Sequence, residues 1–114
     1  MKLNSYNNLL ELFFDQYEKQ DKNNIFLTNL GNPQHKFSWE KTYLLINDLS
    51  NKISKDIKLG DRCILISENR PEWLISDLAI MLAGGISVPS YTTYTTKDYE
   101  YIIKDCEPSV VIVS

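Results

Sequence analysis

Hydroxyl side chains fill the first seven positions of the stretch SYTTYTTKD, residues 90–98, and Lys97 follows them directly. Ser, Thr and Lys side chains hold nucleotide phosphates in many enzymes, so a phosphate-binding loop is the first chemistry to consider. Such a loop works through backbone N–H groups that converge on the anion, and glycines permit this close approach. The stretch contains no glycine, and the Walker A pattern G-x-x-x-x-G-K-[ST] is absent. We therefore interpret it as a strand-to-helix loop that ends in a helix cap at Thr96.

The stretch SENRPEW is the second candidate, because it follows a predicted strand of an α/β sheet, where such proteins bind their ligands. Glu68, Arg70 and Glu72 could bind a ligand or catalyse there. The structural alternative is that Asn69 or Arg70 caps the following helix, while Glu72 faces its positively polarised first turn. Trp73 would then pack into the core. We adopt the structural alternative, which leaves this stretch without a catalytic residue.

The remaining polar candidates form no arrangement for catalysis or metal binding. His35 lies in a predicted turn, with no Cys, Asp or Glu at ligand spacing. Asp77 interrupts an apolar helix, where a buried hydrogen bond is the favoured explanation. Asp105 and Glu107 are expected to be solvent-exposed charges at the end of a helix. The nucleophile motif G-x-S-x-G is absent. The sequence thus predicts no catalytic, cofactor-binding or metal-binding residue in this chain.

The composition is that of one small globular domain. The chain has 114 residues, of which 43% are hydrophobic and 24% charged, and its net charge is −3. That charge offers no basic surface for nucleic acid, and no apolar run is long enough for a transmembrane segment. The opening residues MKLNSYNN lack the apolar run of a signal peptide. Cys63 and Cys106 follow no metal-binding or redox spacing, so we expect reduced thiols in a cytoplasmic protein.

Two kinds of element are predicted before the main sheet. In NLLELFFDQYEKQ, apolar residues recur at spacings of three and four, which predicts an amphipathic helix. IFLTNL and HKFSW are typical of strands, and the turn GNPQ would join them into a β-hairpin. Ser38 is a favourable N-cap for a second helix. The apolar face of that helix would run from Ile46 to Ile57, and Gly60 would end it.

The second half of the chain alternates strands and helices. RCILIS, ISVPS and SVVIVS are short apolar runs typical of buried parallel strands. Pro71 would open a nearly all-apolar helix after the first strand, and Thr96 would cap a helix before the third. The predicted fold class is therefore α/β: a partial doubly wound parallel sheet with flanking helices, preceded by an N-terminal helix and a β-hairpin. No helix follows to cover the strand at residues 110–113, so we interpret the chain as a fragment of a larger domain.

These motifs, in this order and spacing, resemble the N-terminal portion of AMP-forming acyl-CoA synthetases, which belong to the adenylate-forming enzymes. Among these enzymes, the long-chain fatty-acid–CoA ligases are the most similar. The residues that carry the resemblance are Phe37-Ser38-Trp39, Gly60-Asp61-Arg62, Ser67 to Trp73, Gly84 or Gly85, Val88-Pro89 with Tyr91 and Thr93, and Glu100-Tyr101-Ile102 with Asp105.

The resemblance implies that residues 1–114 form the N-terminal portion of an AMP-binding domain, without a complete second domain. The full-length enzyme would use ATP with Mg²⁺ to turn a fatty acid into an acyl-adenylate, and coenzyme A would then accept the acyl group. In the family, the nucleotide-binding and catalytic residues lie downstream of the matched region, so none is assigned here. The segment would be a scaffold that is inactive alone, with the remainder of the synthetase chain as its partner. A cytoplasmic location is expected, with peripheral contact to a membrane as an option.

Two other functions stay open. The first is an AMP-forming ligase for a short-chain, aromatic or amino acid, because only SENRPEW favours the long-chain branch. The second is a self-contained, non-enzymatic α/β binding module of the receiver or flavodoxin type. A receiver needs acidic residues after its first strand, and a flavodoxin needs a phosphate loop there. The stretch TNLGN supplies neither feature.

Overall fold

The computed structural model describes residues 6–114, and its helices and strands follow the order that the sequence predicts. The elements are α1 Leu9–Lys19, β1 Ile25–Asn29, β2 Asn32–Ser38, α2 Trp39–Ile53, β3 Arg62–Ile66, α3 Pro71–Leu82, β4 Ile86–Ser90, α4 Thr96–Cys106 and β5 Val110–Val113.

The main sheet has three parallel strands in the order β4-β3-β5. Cys63 of β3 is paired with Ser87 of β4 on one side and with Val110 of β5 on the other. The chain runs from β3 to β4 through α3 and then crosses back to β5 through α4, so the two crossovers point in opposite directions. Because parallel crossovers are right-handed, α3 and α4 lie on opposite faces of the sheet. The predicted α/β class, with a doubly wound parallel sheet, is confirmed.

The core lies on the α3 side of the sheet. Cys63 and Leu65 belong to the same buried cluster as Ile75, Leu78 and Ile80 of α3. Pro71 occupies the first turn of α3 as predicted, where its missing N–H leaves no helical hydrogen bond unmade. The helix is apolar on almost every side because α2, β3, β4 and α1 all pack against it.

Aromatic rings join α1 and the hairpin to α2. The ring centroid of Phe13 lies 5.6 Å from that of Phe26 and 5.8 Å from that of Trp39. Phe26 and Trp39 stack with their centroids 4.0 Å apart, and Tyr17 stacks on Tyr43 at 4.2 Å. We call these five residues the aromatic cluster. Its rings fix the predicted N-terminal helix and hairpin against the second helix.

Tyr17 adds a polar contact to the aromatic cluster, because its hydroxyl donates to Glu40 Oε2 at 2.7 Å. This hydrogen bond, together with burial of the phenol, raises the pKa of Tyr17 to about 12 from its ordinary value of 10.0. The phenol therefore holds its proton more tightly in the folded state than in the unfolded state. Its contribution to the free energy of unfolding is complete below pH 10.

We expect the stability advantage of the wild-type protein over Tyr17→Phe to fall as the pH rises through 10 to about 12. The phenol loses its proton over that range, and the resulting phenolate cannot donate to Glu40. Urea unfolding of both proteins at several pH values measures the difference, and groups that titrate in both proteins cancel. An advantage that stays constant over this range would show that Tyr17 does not titrate as described.

The hairpin turn lies at Leu30 and Gly31, so the prediction that GNPQ forms the turn is wrong. Asn32 is already paired with Asn29 across the ladder, and Pro33 lies within β2. The side chain of Asn29 accounts for the difference, because its Oδ1 accepts hydrogen bonds from the backbone N–H groups of Gly31 and Asn32. These side-chain hydrogen bonds stabilise a turn at Leu30 and Gly31, before Pro33 is reached.

The second helix begins as predicted and ends earlier. The Ser38 hydroxyl accepts a hydrogen bond from the Lys41 N–H, which confirms the N-cap. The helix ends at Ile53 and not at Gly60, because residues 54–60 form turns in which Ile57 still packs against the core. Gly60 has a φ of +85° in the last of these turns, and its N–H donates to the carbonyl of Gly84.

The fourth helix is capped by Thr95, so the prediction of Thr96 is one residue too late. The Thr95 hydroxyl accepts from the N–H of Asp98, and the Asp98 carboxylate accepts from the N–H of Thr95. This reciprocal pair is a capping box, and it requires an acidic or amide residue three positions after the cap. Asp98 satisfies that spacing from Thr95 but not from Thr96.

Candidate functional site

The residues of SYTTYTTKD lie between β4 and α4, which confirms the interpretation as a strand-to-helix loop. Ser90 ends β4 and is buried, whereas Tyr91 is exposed. The Tyr94 ring lies edge-on to the rings of Tyr91 and Tyr99, at centroid distances of 5.3 and 5.8 Å. The Tyr99 hydroxyl also donates to the Tyr91 carbonyl. Lys97 is exposed on α4, and contacts between tyrosines hold the loop.

A cavity of about 440 Å³ opens at the carboxyl ends of β3 and β4. We call it the strand-end cavity. Three aromatic rings and three hydroxyl or amide side chains contribute to its wall, and none of the residues that line it is charged. The lining residues are Ser67, Asn69, Trp73, Pro89, Ser90, Tyr91 and Tyr94. The two chemical candidates of the sequence, SENRPEW and SYTTYTTKD, therefore meet at this cavity.

A second cavity, of about 410 Å³, separates the tip of the hairpin from the start of α3. Asn69 and Trp73 line both cavities, and Arg70 lines only the second. Trp73 packs against the core but is only partly buried. The prediction that Trp73 packs into the core is thus confirmed, and the indole also lines both cavities.

Arg70, Glu72 and His35 form an ion-pair group between the hairpin and α3. Arg70 Nε donates to Glu72 Oε2 at 2.6 Å, and His35 Nε2 lies 2.8 Å from Glu72 Oε1. Burial works to raise the pKa of the Glu72 carboxyl, but the hydrogen bonds from His35 and Arg70 outweigh it and lower that pKa. Arg70 occupies the cap position without a side-chain cap bond. These side chains pair with each other, and Glu68 of the same stretch is exposed.

The other predicted positions are dispersed. Cys63 is buried, and burial raises the pKa of its thiol, while Cys106 lies at the end of α4. Glu107 caps α4 in the left-handed region, with a φ of 48°, and Asp105 is exposed nearby. Asp77 is buried, and the hydrogen bonds found among residues 6–114 do not include its carboxylate. The predicted buried hydrogen bond of Asp77 is therefore not found in this part of the chain.

Asp61 and Arg62 have contacts that sequence reasoning did not find. The Asp61 carboxylate accepts from the Lys58 N–H and from the Ser109 hydroxyl, and these two hydrogen bonds lower the pKa of Asp61. Arg62 Nε donates to the Cys106 carbonyl at 2.7 Å. The Gly60-Asp61-Arg62 motif therefore ties the amino end of β3 to the connection between α4 and β5. The sequence signal was the motif itself, whose role is structural here.

The described residues do not by themselves fit Mg·ATP. No three His, Cys, Asp or Glu side chains within residues 6–114 come together in an arrangement that could hold a metal ion. The loop after β4 has no glycine to let backbone N–H groups approach a phosphate. Of the helices described, none is both long enough and apolar enough to cross a membrane.

Comparison with known sequences shows the family of the chain. The family model described as "AMP-binding enzyme" matches residues 13–114. The chain is 33% identical over 109 residues to the long-chain-fatty-acid–CoA ligase ACSBG1 of Rattus norvegicus, covering 90% of this chain and 14% of that protein. It is 36% identical over 59 residues to the long-chain-fatty-acid–CoA ligase FadD15 of Mycobacterium tuberculosis, covering 52% of this chain and 10% of that one. The chain thus spans only a small part of these relatives.

Solved structures agree with the sequence comparison. The chain superimposes on ATP-bound MatB from Rhodopseudomonas palustris with a TM-score of 0.74 and 25% identity, over 87% of this chain and 20% of MatB. It shares the fold of the anthranilate CoA ligase AuaEII in complex with anthranoyl-AMP, with a TM-score of 0.85 and 24% identity, over 99% of this chain and 22% of AuaEII. The chain belongs to the AMP-binding enzyme family, and both relatives named above by sequence are long-chain-fatty-acid–CoA ligases.

Proposed function

We propose that this chain is the N-terminal part of an AMP-forming long-chain fatty-acid–CoA ligase. The observation that carries the proposal is the match to ACSBG1, which extends over 90% of this chain but only 14% of that ligase. A match of this kind is expected if the catalytic residues of the protein lie in sequence beyond residue 114. A cytoplasmic location with peripheral contact to a membrane belongs to the same proposal.

The proposed reaction has two steps. A fatty-acid carboxylate attacks the α-phosphorus of ATP, which forms an acyl-adenylate and releases pyrophosphate. The thiol of coenzyme A then attacks the acyl carbon, which forms the thioester and releases AMP. In this proposal Mg²⁺ accompanies ATP, and the residues that bind the nucleotide, the metal and the acid lie outside residues 6–114.

The role proposed for the present chain is that of a scaffold. It supplies a packed parallel sheet, while apolar side chains on α4 and β5 are left exposed. Within the described residues α4 buries none of its side chains, and Tyr101 and Ile103 are exposed together with Val111 and Val113 of β5. Exposed apolar side chains on a strand at the sheet edge are a favourable surface for further chain to pack against.

The test compares the 114-residue chain with the protein encoded by the complete reading frame. With ATP, Mg²⁺, coenzyme A and palmitate, we expect acyl-CoA from the full-length protein and none above a no-enzyme control from the 114-residue chain. Turnover by the 114-residue chain would contradict the scaffold role. A reading frame that stops after Ser114 would contradict the assignment to a ligase.

A ligase for a different acid is the second candidate. AuaEII, whose name gives anthranilate as its acid, has the same fold over 99% of this chain, so this fold does not determine which acid is used. Pyrophosphate exchange with acetate, benzoate, octanoate and palmitate, each at equal concentration, separates the two candidates. Preference for palmitate supports the long-chain proposal, and preference for acetate or benzoate would replace it.

A further inference from the structure

The parallel sheet has two edges that differ in their backbone chemistry. Within the residues that the structure describes, β4 and β5 each pair only with β3. In a parallel strand, alternate residues direct their N–H and C=O groups to opposite sides. Every second residue of β4 and of β5 therefore directs these groups away from β3, where a further strand could pair with them.

The edge at β4 offers little to a further strand. The N–H of Ile86 donates to the carbonyl of Asp61, so Ile86 faces β3. Ser87 and Pro89 alternate with it in the ladder, and their backbone groups are directed outward. Pro89 is exposed and has no N–H, and an outward position on an edge strand is where a sheet tolerates proline. Only Ser87 therefore presents an outward N–H on this strand.

The edge at β5 has the opposite character. The N–H of Ser114 donates to the carbonyl of Ile66, which places Ser114 on the side that faces β3. By alternation, Val111 and Val113 direct their N–H and C=O groups outward. Their side chains are 45% and 65% exposed. The other two residues of β5 pack against the core, so the strand is held on one face while its outer edge is open.

We propose that the β5 edge pairs with an extended strand from the part of this protein beyond residue 114, and that Pro89 prevents such pairing at the β4 edge. The inference rests on the proposed function, in which further chain follows. The present chain covers only 14% of ACSBG1, so a protein of that length has ample chain for such a strand. The strand would bond the outward groups of Val111 and Val113 and would cover their side chains.

Amide hydrogen exchange in the full-length protein tests both edges in one experiment. We expect the N–H groups of Val111 and Val113 to exchange slowly, like that of Ile64 in the central strand, because hydrogen bonds to the added strand protect them. We expect the N–H of Ser87 to exchange rapidly. Rapid exchange at Val111 and Val113, or slow exchange at Ser87, would overturn the inference.

A matched pair of proline substitutions tests the same difference by stability. Val111→Pro removes an outward N–H from β5, and Ser87→Pro, the control, removes one from β4. In the full-length protein we expect Val111→Pro to lower the melting temperature by several degrees and Ser87→Pro to change it much less. Equal changes for the two variants would count against the inference. The exchange measurement needs no substitution, so it decides the matter if a variant does not fold.

A second copy of the protein is the other strand that could pair with β5. Exchange at Val111 and Val113 that becomes faster on dilution, together with a dimer in light scattering, would replace the added strand by a second copy and overturn the inference. Pyrophosphate exchange by the unsubstituted full-length protein tests the ligase proposal separately. An inactive protein with a protected β5 edge, or an active protein with an unprotected one, would separate the two proposals.

Discussion

Replacing Leu65 by alanine is expected to lower the free energy of unfolding by about 2–5 kcal/mol. Leu65 is 0% exposed in β3, the central strand of the sheet, and its side chain belongs to the main core cluster with α3. Truncation removes buried apolar surface and leaves a cavity that neighbours on three packed elements cannot easily fill. Urea unfolding followed by circular dichroism measures the change. A loss of this size is a large fraction of the stability of a small domain.

Leu30→Ala is the matched control, because the same side chain is 93% exposed at the hairpin tip. It should change the free energy of unfolding by no more than about 0.5 kcal/mol. Equal effects at the two positions would mean that β3 is not the centre of the core. A loss at Leu65 near the lower limit would instead indicate that α3 relaxes into the space.

Phe13→Ala is the second substitution with a large expected effect, about 3–5 kcal/mol. The ring is 5% exposed, and it belongs to the aromatic cluster that joins α1 and the hairpin to α2. Its centroid also lies 5.5 Å from that of Phe14 and 6.4 Å from that of Tyr17. The alanine variant loses contacts to four rings at once, and aromatic pairs contribute beyond the area they bury.

The control for Phe13 is Phe13→Leu, which keeps most of the apolar volume and removes only the ring contacts. We expect a clearly smaller loss for leucine than for alanine in the same urea titration. Hydrogen exchange of the amides of α1 shows where the structure opens in each variant. If Phe13→Ala left α1 as protected as in the wild-type protein, the aromatic cluster would not be what fixes this helix.

Much of the fold could be predicted because its signals are local. The run RCILIS is apolar at consecutive positions, which is typical of a strand covered on both sides, and the structure confirms a buried β3. Two of the errors arose where a short-range side-chain bond decides the outcome. Asn29 moved the hairpin turn, and Asp98 selected Thr95 as the helix cap. In each place the sequence allowed two neighbouring positions for the turn or the cap. Only one of the two positions had a hydrogen-bonding side chain at the required spacing.

The candidate site was less predictable because its contacts are distant in sequence. His35 and Glu72 are separated by 37 positions, and no periodicity connects a hairpin residue with the first turn of a later helix. The strand-end cavity likewise combines two loops whose proximity depends on the pairing of β3 with β4. Motif order indicated the family, which the comparisons confirm, but it could not indicate how Trp73 divides its surface between core and cavities.

The central position of β3 has a consequence for the order in which the molecule folds. Cys63 is synthesised before both of its partners, Ser87 and Val110, so β3 cannot be paired on both sides until β5 has been synthesised. Closing these long loops costs more chain entropy than pairing β1 with β2 across a tight turn. We therefore expect pulse-labelling hydrogen exchange during refolding to protect the hairpin and α2 before β5. A nascent chain would carry one edge of its central strand unpaired until β5 follows, and early protection of β5 would contradict this order.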